Sequence, residues 1–331
     1  MSDPDPDPGS DRQVERLRRV AEAALVAYDL DVADVSLITN DWNGVFRVDL
    51  TDGSRCVARV GLPGRRSRAQ VDAEMGWLDA LARAATVSVP TPVSARDGSF
   101  VTEATTDGVH GSRLCAVFAW IDGEPLEDHL TAANLERAGE AAALLHEHAR
   151  TFPVPTGLSA WDTPFPYGEA VVLFDPEHSS SLTDHELSVF LAVREATGAA
   201  IARLVEAESP RMLHADLHEH NLFVDGEVVR VLDFDDSMPG WPAQDLSVIW
   251  FELADHDDIE ALMLALRRGY ERVAPWPERV PGEIALFAAN RALHLANYVV
   301  QDHDPAYRAR APELVRAWAQ RGARFLEETG P

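Results

Sequence analysis

The sequence predicts an α+β chain in two lobes: a small antiparallel β lobe with one inserted helix, then a larger, mainly helical lobe. Three observations predict it. Short β-branched runs separated by turn signals fill the early region of the chain. Beyond about residue 125 the apolar spacing becomes helical. A single stretch inside that helical region, 212–236, reverts to loop, strand, turn and strand. With 331 residues, 46% of them hydrophobic, the chain is long enough for two lobes with their own cores.

The elements follow in order. Residues 1–11 (MSDPDPDPGSD) are acidic and proline-rich without an apolar stretch, and read as a disordered tail rather than a signal peptide. Residues 12–30 have helical spacing, with Val14, Leu17, Val20, Ala21 and Ala24 on one face. VSLIT (35–39), VFRVDL (45–50) and RCVARV (55–60) then start an antiparallel meander, with TDGS (51–54) as a turn. A helix is expected over 67–84, with Val71, Met75, Leu78 and Leu81 as its stripe. VPTPV (89–93) ends that region, ARDGSF (95–100) is a second hairpin turn, and LCAVFAWI (114–121) is a buried strand. Helices follow at 131–149, 182–208, 243–254, 257–273, 281–302 and 312–328. The partition is a tail at 1–11, an N-lobe at 12–121 and a C-lobe at 122–331.

Charge limits the partners. There are 29 basic against 55 acidic residues, a formal net charge of −26, and no lysine. Such a chain repels nucleic acid and anionic membranes. It suits cationic small molecules, although an acidic surface for solubility or salt tolerance is the preferred explanation. No apolar run reaches the ~18 residues that a membrane span needs. Cys56 and Cys115 lie in apolar strand-like runs and read as buried, reduced thiols. These features describe a cytoplasmic protein, monomeric by default, with a homodimer through the helical C-terminus left open.

The chemistry concentrates in HADLHEHN (214–221). One reading is a metal site. On a strand, His214, Asp216, His218 and His220 would share a face and could ligate zinc, but no partner cluster with tetrahedral spacing follows. His146 and His148 sit two apart on a helix, where side chains do not face each other. The other reading is phosphoryl transfer, which needs a base to orient the acceptor hydroxyl and oxygen ligands for magnesium. His214-Ala-Asp216 is followed by four residues and Asn221, then LFV, the turn DGE, the strand VVRVL and Asp233. Loop, hairpin and second acid occur in the order of the His-x-Asp-x-x-x-x-Asn catalytic loop.

The run HADLHEHNLFVDGEVVRVLDFDDSMPGWPAQDLS (214–247) resembles the aminoglycoside phosphotransferase/choline kinase family. These are small-molecule kinases with the protein-kinase fold, whose loop commonly reads H-G-D-L-H-x-x-N with I-D-F-D-D after it. The resemblance spans about residues 30 to 300. It is nearest to the branch of homoserine kinase type II and RdoA-like stress-response kinases. It implies a bilobal protein-kinase-like fold. The implied reaction moves the γ-phosphate of ATP or GTP, with Mg2+, to a hydroxyl of an aminoglycoside, amino alcohol, hydroxy amino acid or sugar. Asp216 would be the catalytic base, His214 would brace the loop, and Asn221 and Asp233 would hold magnesium. Asp245 matches the aspartate that opens the following helix and reads as a cap or loop brace.

The kinase reading also makes demands upstream. A cation on the third strand should grip phosphate and pair with a glutamate on the next helix; Arg59 and Glu74 have that placement. Arginine replaces the lysine of protein kinases, keeping the charge with a bulkier, forked head. There is no G-x-G-x-x-G loop, so Asn43 and Gly44 in the first hairpin are the candidates to present backbone N–H groups to phosphate. The Ala119 carbonyl and Ile121 N–H would read the adenine edge. The arginine-rich GLPGRRSR (61–68) reads as a solvated loop in preference to a phosphate contact. Acceptor contacts are sought among Asp235, Asp236, Trp241, Trp250, Glu252, Asn290, His294 and Tyr298, with packing preferred for Trp250 and Tyr298. Three other readings remain: a stress-response Ser/Thr protein kinase, a metal-dependent hydrolase built on residues 214–220, and a nucleotide-binding pseudokinase.

Overall fold

The computed structural model of the chain describes residues 11–328, apart from positions 41, 108, 110, 180, 181, 303 and 304. The expected tail lies outside the described residues except at Asp11, which opens the first helix. The chain divides into two compact units at Asp122/Gly123.

The first unit holds α1 (Asp11–Leu25), β1 (Val32–Asn40), β2 (Asn43–Leu50), β3 (Arg55–Gly61), α2 (Arg68–Ala84), β4 (Val101–Ala104) and β5 (Arg113–Ala119). The sheet is antiparallel in the order β1-β2-β3-β5-β4. The meander therefore stops at β3: the chain leaves through α2, and β5 rather than β4 returns beside β3. The apolar face of α1 (Leu17, Val20, Ala21, Ala24) packs with Phe46, Val48, Ala58, Val60 and Val117 of the sheet. Each large side chain buried this way contributes roughly 1.5–3 kcal/mol. Helix α1 ends at Leu25, short of the expected residue 30. The last predicted strand ends at Ala119 rather than 121. The ARDGSF turn is present, with the Asp97 carboxylate accepting from the Ser99 N–H at 2.9 Å. Four-residue β4, just after it, is too short to show alternation. Both cysteines are buried and free, and burial pushes their thiols up, Cys56 to about 11 and Cys115 to about 12.

The second unit contains β6 (Glu124–Pro125), α3 (Ala132–Ala149), α4 (Pro176–Ser179), α5 (Asp184–Ala207), β7 (Arg211–Leu213), β8 (Leu222–Asp225), β9 (Val228–Val231), β10 (Met238–Gly240), α6 (Pro242–Leu253), α7 (Ile259–Glu271), α8 (Glu283–Val299), α9 (Pro305–Ala309) and α10 (Ala311–Glu328). Helix α8 runs through its centre; Ala285, Ala288, Ala289, Ala292 and Ala296 are all buried, and their small size lets neighbouring helices approach. Helices α3 and α7 cross through Gly139 and Gly269. A Cβ on either glycine would overlap the carbonyl of the facing helix, Leu266 or Glu136. The expected single hairpin is β8–β9, but two more pairings exist: β6 adds to β8, and β7 pairs with β10. Strands of two or three residues carry no readable period. Among the described residues no helix is long and apolar enough to cross a membrane.

Candidate active site

HADLHEHN forms a loop, not a strand, slung between β7 and β8. Its backbone is fixed from beneath by Asp245 in the first turn of α6. The two carboxylate oxygens accept from the His214 N–H (3.0 Å) and the Ala215 N–H (2.6 Å). His146 on α3 donates from Nε2 to the same carboxylate at 3.0 Å and bonds the Tyr270 hydroxyl of α7 through Nδ1 at 2.9 Å. All of this is buried. Asp245 thus braces the loop, and His146 is the second link of that brace. The antiparallel pairing of β7 with β10 closes the base of the loop.

His214 is used up internally. Its Nε2–H donates to the Leu232 carbonyl at 2.7 Å, and its Nδ1 accepts from the Asp216 N–H at 3.3 Å. A histidine with both nitrogens bonded to backbone offers none to a metal. His220 points elsewhere, onto Glu127. The metal-hydrolase reading needed alternate residues of a strand on one face; the loop conformation removes that premise. Among the described residues no group of three or more His, Cys, Asp or Glu is placed to hold a metal.

Asp216 is the focus of the site. Its Oδ1 accepts from Arg291 Nη2 at 2.9 Å and its Oδ2 from His218 Nε2 at 3.2 Å. Burial pushes the carboxyl up, but the Arg291 guanidinium and His218 outweigh it and hold Asp216 well below the usual carboxylate range. Arg291 also reaches Glu252 at 3.4 Å; burial opposes its charge, and the two carboxylates raise its pKa regardless. Asn221 donates from Nδ2 to the Asp216 carbonyl at 2.9 Å. Its own carbonyl accepts the Leu232 N–H at 2.8 Å, one residue before Asp233. Ala215 (φ 67°) and Asp233 (φ 57°) both have left-handed backbones, two of the three such non-glycine positions among the described residues. Strain of this kind concentrates at functional sites.

In the first unit, Arg59 lies on the central strand β3 and Glu74 on α2. Their side chains form a two-point pair, with Nη1 to Oε1 at 2.8 Å and Nη2 to Oε2 at 2.7 Å. Glu74 is fully buried. Arg66 also donates to Glu74 Oε2, so a portion of the supposedly solvated GLPGRRSR loop is turned inward. Asn43 and Gly44 are not at a turn tip. They lie within β2, paired with β1 and β3, and Gly44 is buried against Leu17 and Phe46. The β1–β2 ladder runs to the Asn40–Gly44 pair, so the hairpin turns before Asn43 and Gly44. The Ala119 N–H is taken by the Thr91 carbonyl at 2.9 Å, and Ile121 lies past the strand end.

The acceptor candidates separate by placement. Glu252 stands on Arg291, and Asp236 lies close enough to the Tyr167 hydroxyl to act on it electrostatically. Asp235 shares the turn after Asp233. Trp241 is corrected: at 2% exposure it fills the core ahead of α6, a place its large apolar ring favours. Trp250 packs edge-on against Phe325, as preferred. Asn290, His294 and Asn297 line one face of α8 and hold a non-helical strap. Asn290 donates to the Pro164 carbonyl, His294 pairs with Glu169, and Asn297 accepts from the Val172 and Leu173 N–H groups and donates to the Ala170 carbonyl. This strap carries Tyr167, 36% exposed, whose ring stacks on His294 and whose hydroxyl donates to the Ala215 carbonyl at 3.3 Å. Sequence reasoning missed Arg291, Tyr167 and Glu169. A signal existed for Arg291: a lone charge in the apolar, alanine-rich ALFAANRALHLA.

The loop, the hairpin returning to a second aspartate, and the strand–helix arginine–glutamate pair define a phosphotransferase of protein-kinase-like fold. The chain belongs to the APH phosphotransferase enzyme family, which matches residues 34–287, and it acts on a hydroxyl. An amicoumacin kinase of Bacillus subtilis is 25% identical over 267 residues, 76% of this chain and 75% of that protein. Among solved structures, the microcompartment-associated aminopropanol kinase superposes with a TM-score of 0.75 at 22% identity, covering 94% of this chain and 98% of that one. The amicoumacin kinase hAmiN in complex with AMP-PNP, Ca2+ and Ami has a TM-score of 0.73 at 17% identity, covering 94% and 96%.

Proposed function

We propose that this protein transfers the γ-phosphate of ATP or GTP, with Mg2+, to the hydroxyl of a small molecule. The observation that carries the reading is Asp216: a carboxylate kept ionised by Arg291 and His218, on a loop whose backbone Asp245 fixes. Its role is to accept a hydrogen bond from the acceptor hydroxyl, orient that oxygen for attack, and take its proton as phosphate transfers. His214 holds the loop to the strand that leads to Asp233.

The donor atoms suit magnesium. Asn221 offers an amide oxygen and Asp233 a carboxylate, hard ligands of the kind Mg2+ takes in few numbers alongside nucleotide phosphates. Magnesium bound there would offset phosphate charge. Arg59, held by Glu74, is a further candidate cation for phosphate, and its planar fork favours two-point contact with it. The β1–β2 hairpin would cover phosphate, and the adenine edge would meet the chain at 119–121.

An amino alcohol or amino sugar is the favoured acceptor class. Asp236 acts electrostatically on Tyr167, Glu252 stands on Arg291 and Glu169 on His294, and acids so placed favour an ammonium group. Named activities of similar proteins, on aminopropanol and amicoumacin, agree with that class. We place the protein in the cytoplasm, as a monomer.

The test is nucleotide turnover. Purified protein with Mg2+ and ATP or GTP is offered amino alcohols, aminoglycosides, hydroxy amino acids, sugars and a generic protein substrate. Acceptor-dependent ADP or GDP release is expected with a small molecule, and Asp216→Ala should lower it by roughly 10²–10⁴-fold. Release with the protein substrate alone would replace this reading by a Ser/Thr protein kinase. Nucleotide binding with no release from any acceptor would leave a pseudokinase.

A further inference from the structure

Arg59 is not the only guanidinium on the buried glutamate of α2. Arg66 donates from Nη1 to the Oε2 of Glu74 that Arg59 Nη2 also uses, and from Nη2 to the Gln70 carbonyl at 3.2 Å. The side chains of both arginines are about nine-tenths buried, at 10% and 12% exposure. The loop that carries Arg66 is pinned immediately afterwards. Ser67 caps α2, accepting from the Gln70 N–H at 3.3 Å, while the Gln70 side chain accepts from the Ser67 N–H at 2.8 Å. The neighbouring Arg65 lies over the Trp42 ring, 3.8 Å from its centroid, at the tip of the β1–β2 hairpin. Arg59, Arg65 and Arg66 therefore gather around one glutamate and one hairpin tip, in a chain whose net charge is −26 and which has no lysine.

We propose that Arg66 is a second phosphate-binding cation, gripping the nucleotide's phosphate chain together with Arg59; this rests on the kinase reading above. Two guanidinium groups meeting on one carboxylate repel each other. An anion arriving at the pair is attracted by both. Arginine forks match phosphate oxygens geometrically, so two of them from fixed directions define a position for a polyphosphate rather than only a charge for it. The arrangement also accounts for a strand arginine where protein kinases use lysine. The single compact ammonium is replaced by two forked heads steadied by one glutamate. The ligand chemistry is that of a nucleoside di- or triphosphate with its metal; the nucleoside alone gains nothing from Arg66.

The experiment measures binding of AMP-PNP and of adenosine, each with Mg2+, to the full chain by calorimetry, with thermal unfolding alongside. Arg66→Gln should weaken AMP-PNP by about tenfold or more, the size of a lost charge-assisted hydrogen bond, and leave adenosine and Tm close to wild type. Arg66→Lys, which keeps the charge and loses the fork, should fall between. Arg68→Gln, which removes exposed pairs with Asp72 and Glu103 and leaves Glu74 untouched, is the control expected to change neither ligand. Wild-type AMP-PNP affinity in Arg66→Gln overturns the inference. So does an equal loss of AMP-PNP and adenosine with a lowered Tm, which would mark Arg66 as a support for Glu74. If Arg66→Gln does not fold, Arg66→Lys decides: full AMP-PNP affinity with unchanged salt dependence overturns the fork argument. No AMP-PNP binding by the wild type overturns the kinase reading and this inference with it.

Discussion

Asp216 has both carboxylate oxygens engaged by cationic or proton-bearing partners, Arg291 on one and His218 on the other. Its folded-state pKa lies below the unfolded value, so its ion pair stabilises the fold fully above about pH 4 and is lost as pH falls through the folded value. Removing Arg291 reverses the sign. The carboxylate keeps the burial that raises its pKa and loses its main counter-charge. Arg291→Met should therefore cost about 3 kcal/mol in urea unfolding near pH 7. The loss should shrink on acidification as Asp216 takes up a proton, and adding Asp216→Asn should recover most of it. A loss that is the same at acid and neutral pH, or that the second substitution leaves untouched, would mean that Arg291 acts through packing alone. Asp216 and Asn221 were legible in the sequence because their spacing along one loop is covalent. Arg291 was not, because it enters from a helix 75 residues away and only folding brings it near.

The helices that hold the loop depend on a close crossing. Helices α3 and α7 touch backbone to backbone at Gly139 and Gly269, and the same two helices supply His146 and Tyr270 to the brace under Asp245. Gly269→Ala would drive a methyl group into the Glu136 carbonyl, backbone that cannot move aside without parting the helices. The expected outcome is a loss of about 3 kcal/mol or more, beyond the usual cost of overpacking. Any folded fraction should show lower kcat with a smaller change in nucleotide affinity, since Arg59 and Glu74 lie in the other unit. A Gly269→Ala variant with wild-type Tm and kcat would show that the crossing is not fixed at this distance. Propensity and period located these helices to within a few residues, because long amphipathic stripes average over many positions. They could not reveal the crossing partner, nor that α1 stops at Leu25, nor the three-residue β7 and β10. Those features are set by contacts distant in sequence, and each element is too short or too locally ambiguous to show a period.

Across the whole molecule the charge of −26 acts on the two proposed substrates in opposite directions. A nucleotide triphosphate approaches against the field and relies on Arg59 and magnesium at short range, whereas an amino alcohol approaches with it. Salt separates the two. The screening length falls from about 10 Å at 0.1 M to about 3 Å at 1 M, so long-range attraction disappears while contact pairs persist. KM for a cationic acceptor should then rise several-fold from about 0.05 to about 0.5 M salt, KM for a neutral sugar should stay level, and KM for the nucleotide should hold or fall. The sequence offered two explanations for the acidity, solubility and substrate attraction, and composition alone could not separate them because it does not say where the charges stand. The structure puts Asp236 within electrostatic reach of Tyr167, Glu169 on His294, and Glu252 on Arg291, which also pairs with Asp216. A level KM for a cationic acceptor across that salt range would assign the acidity to solubility and confine acceptor recognition to short-range contacts; a rise would make the net charge a contributor to how the enzyme finds its acceptor.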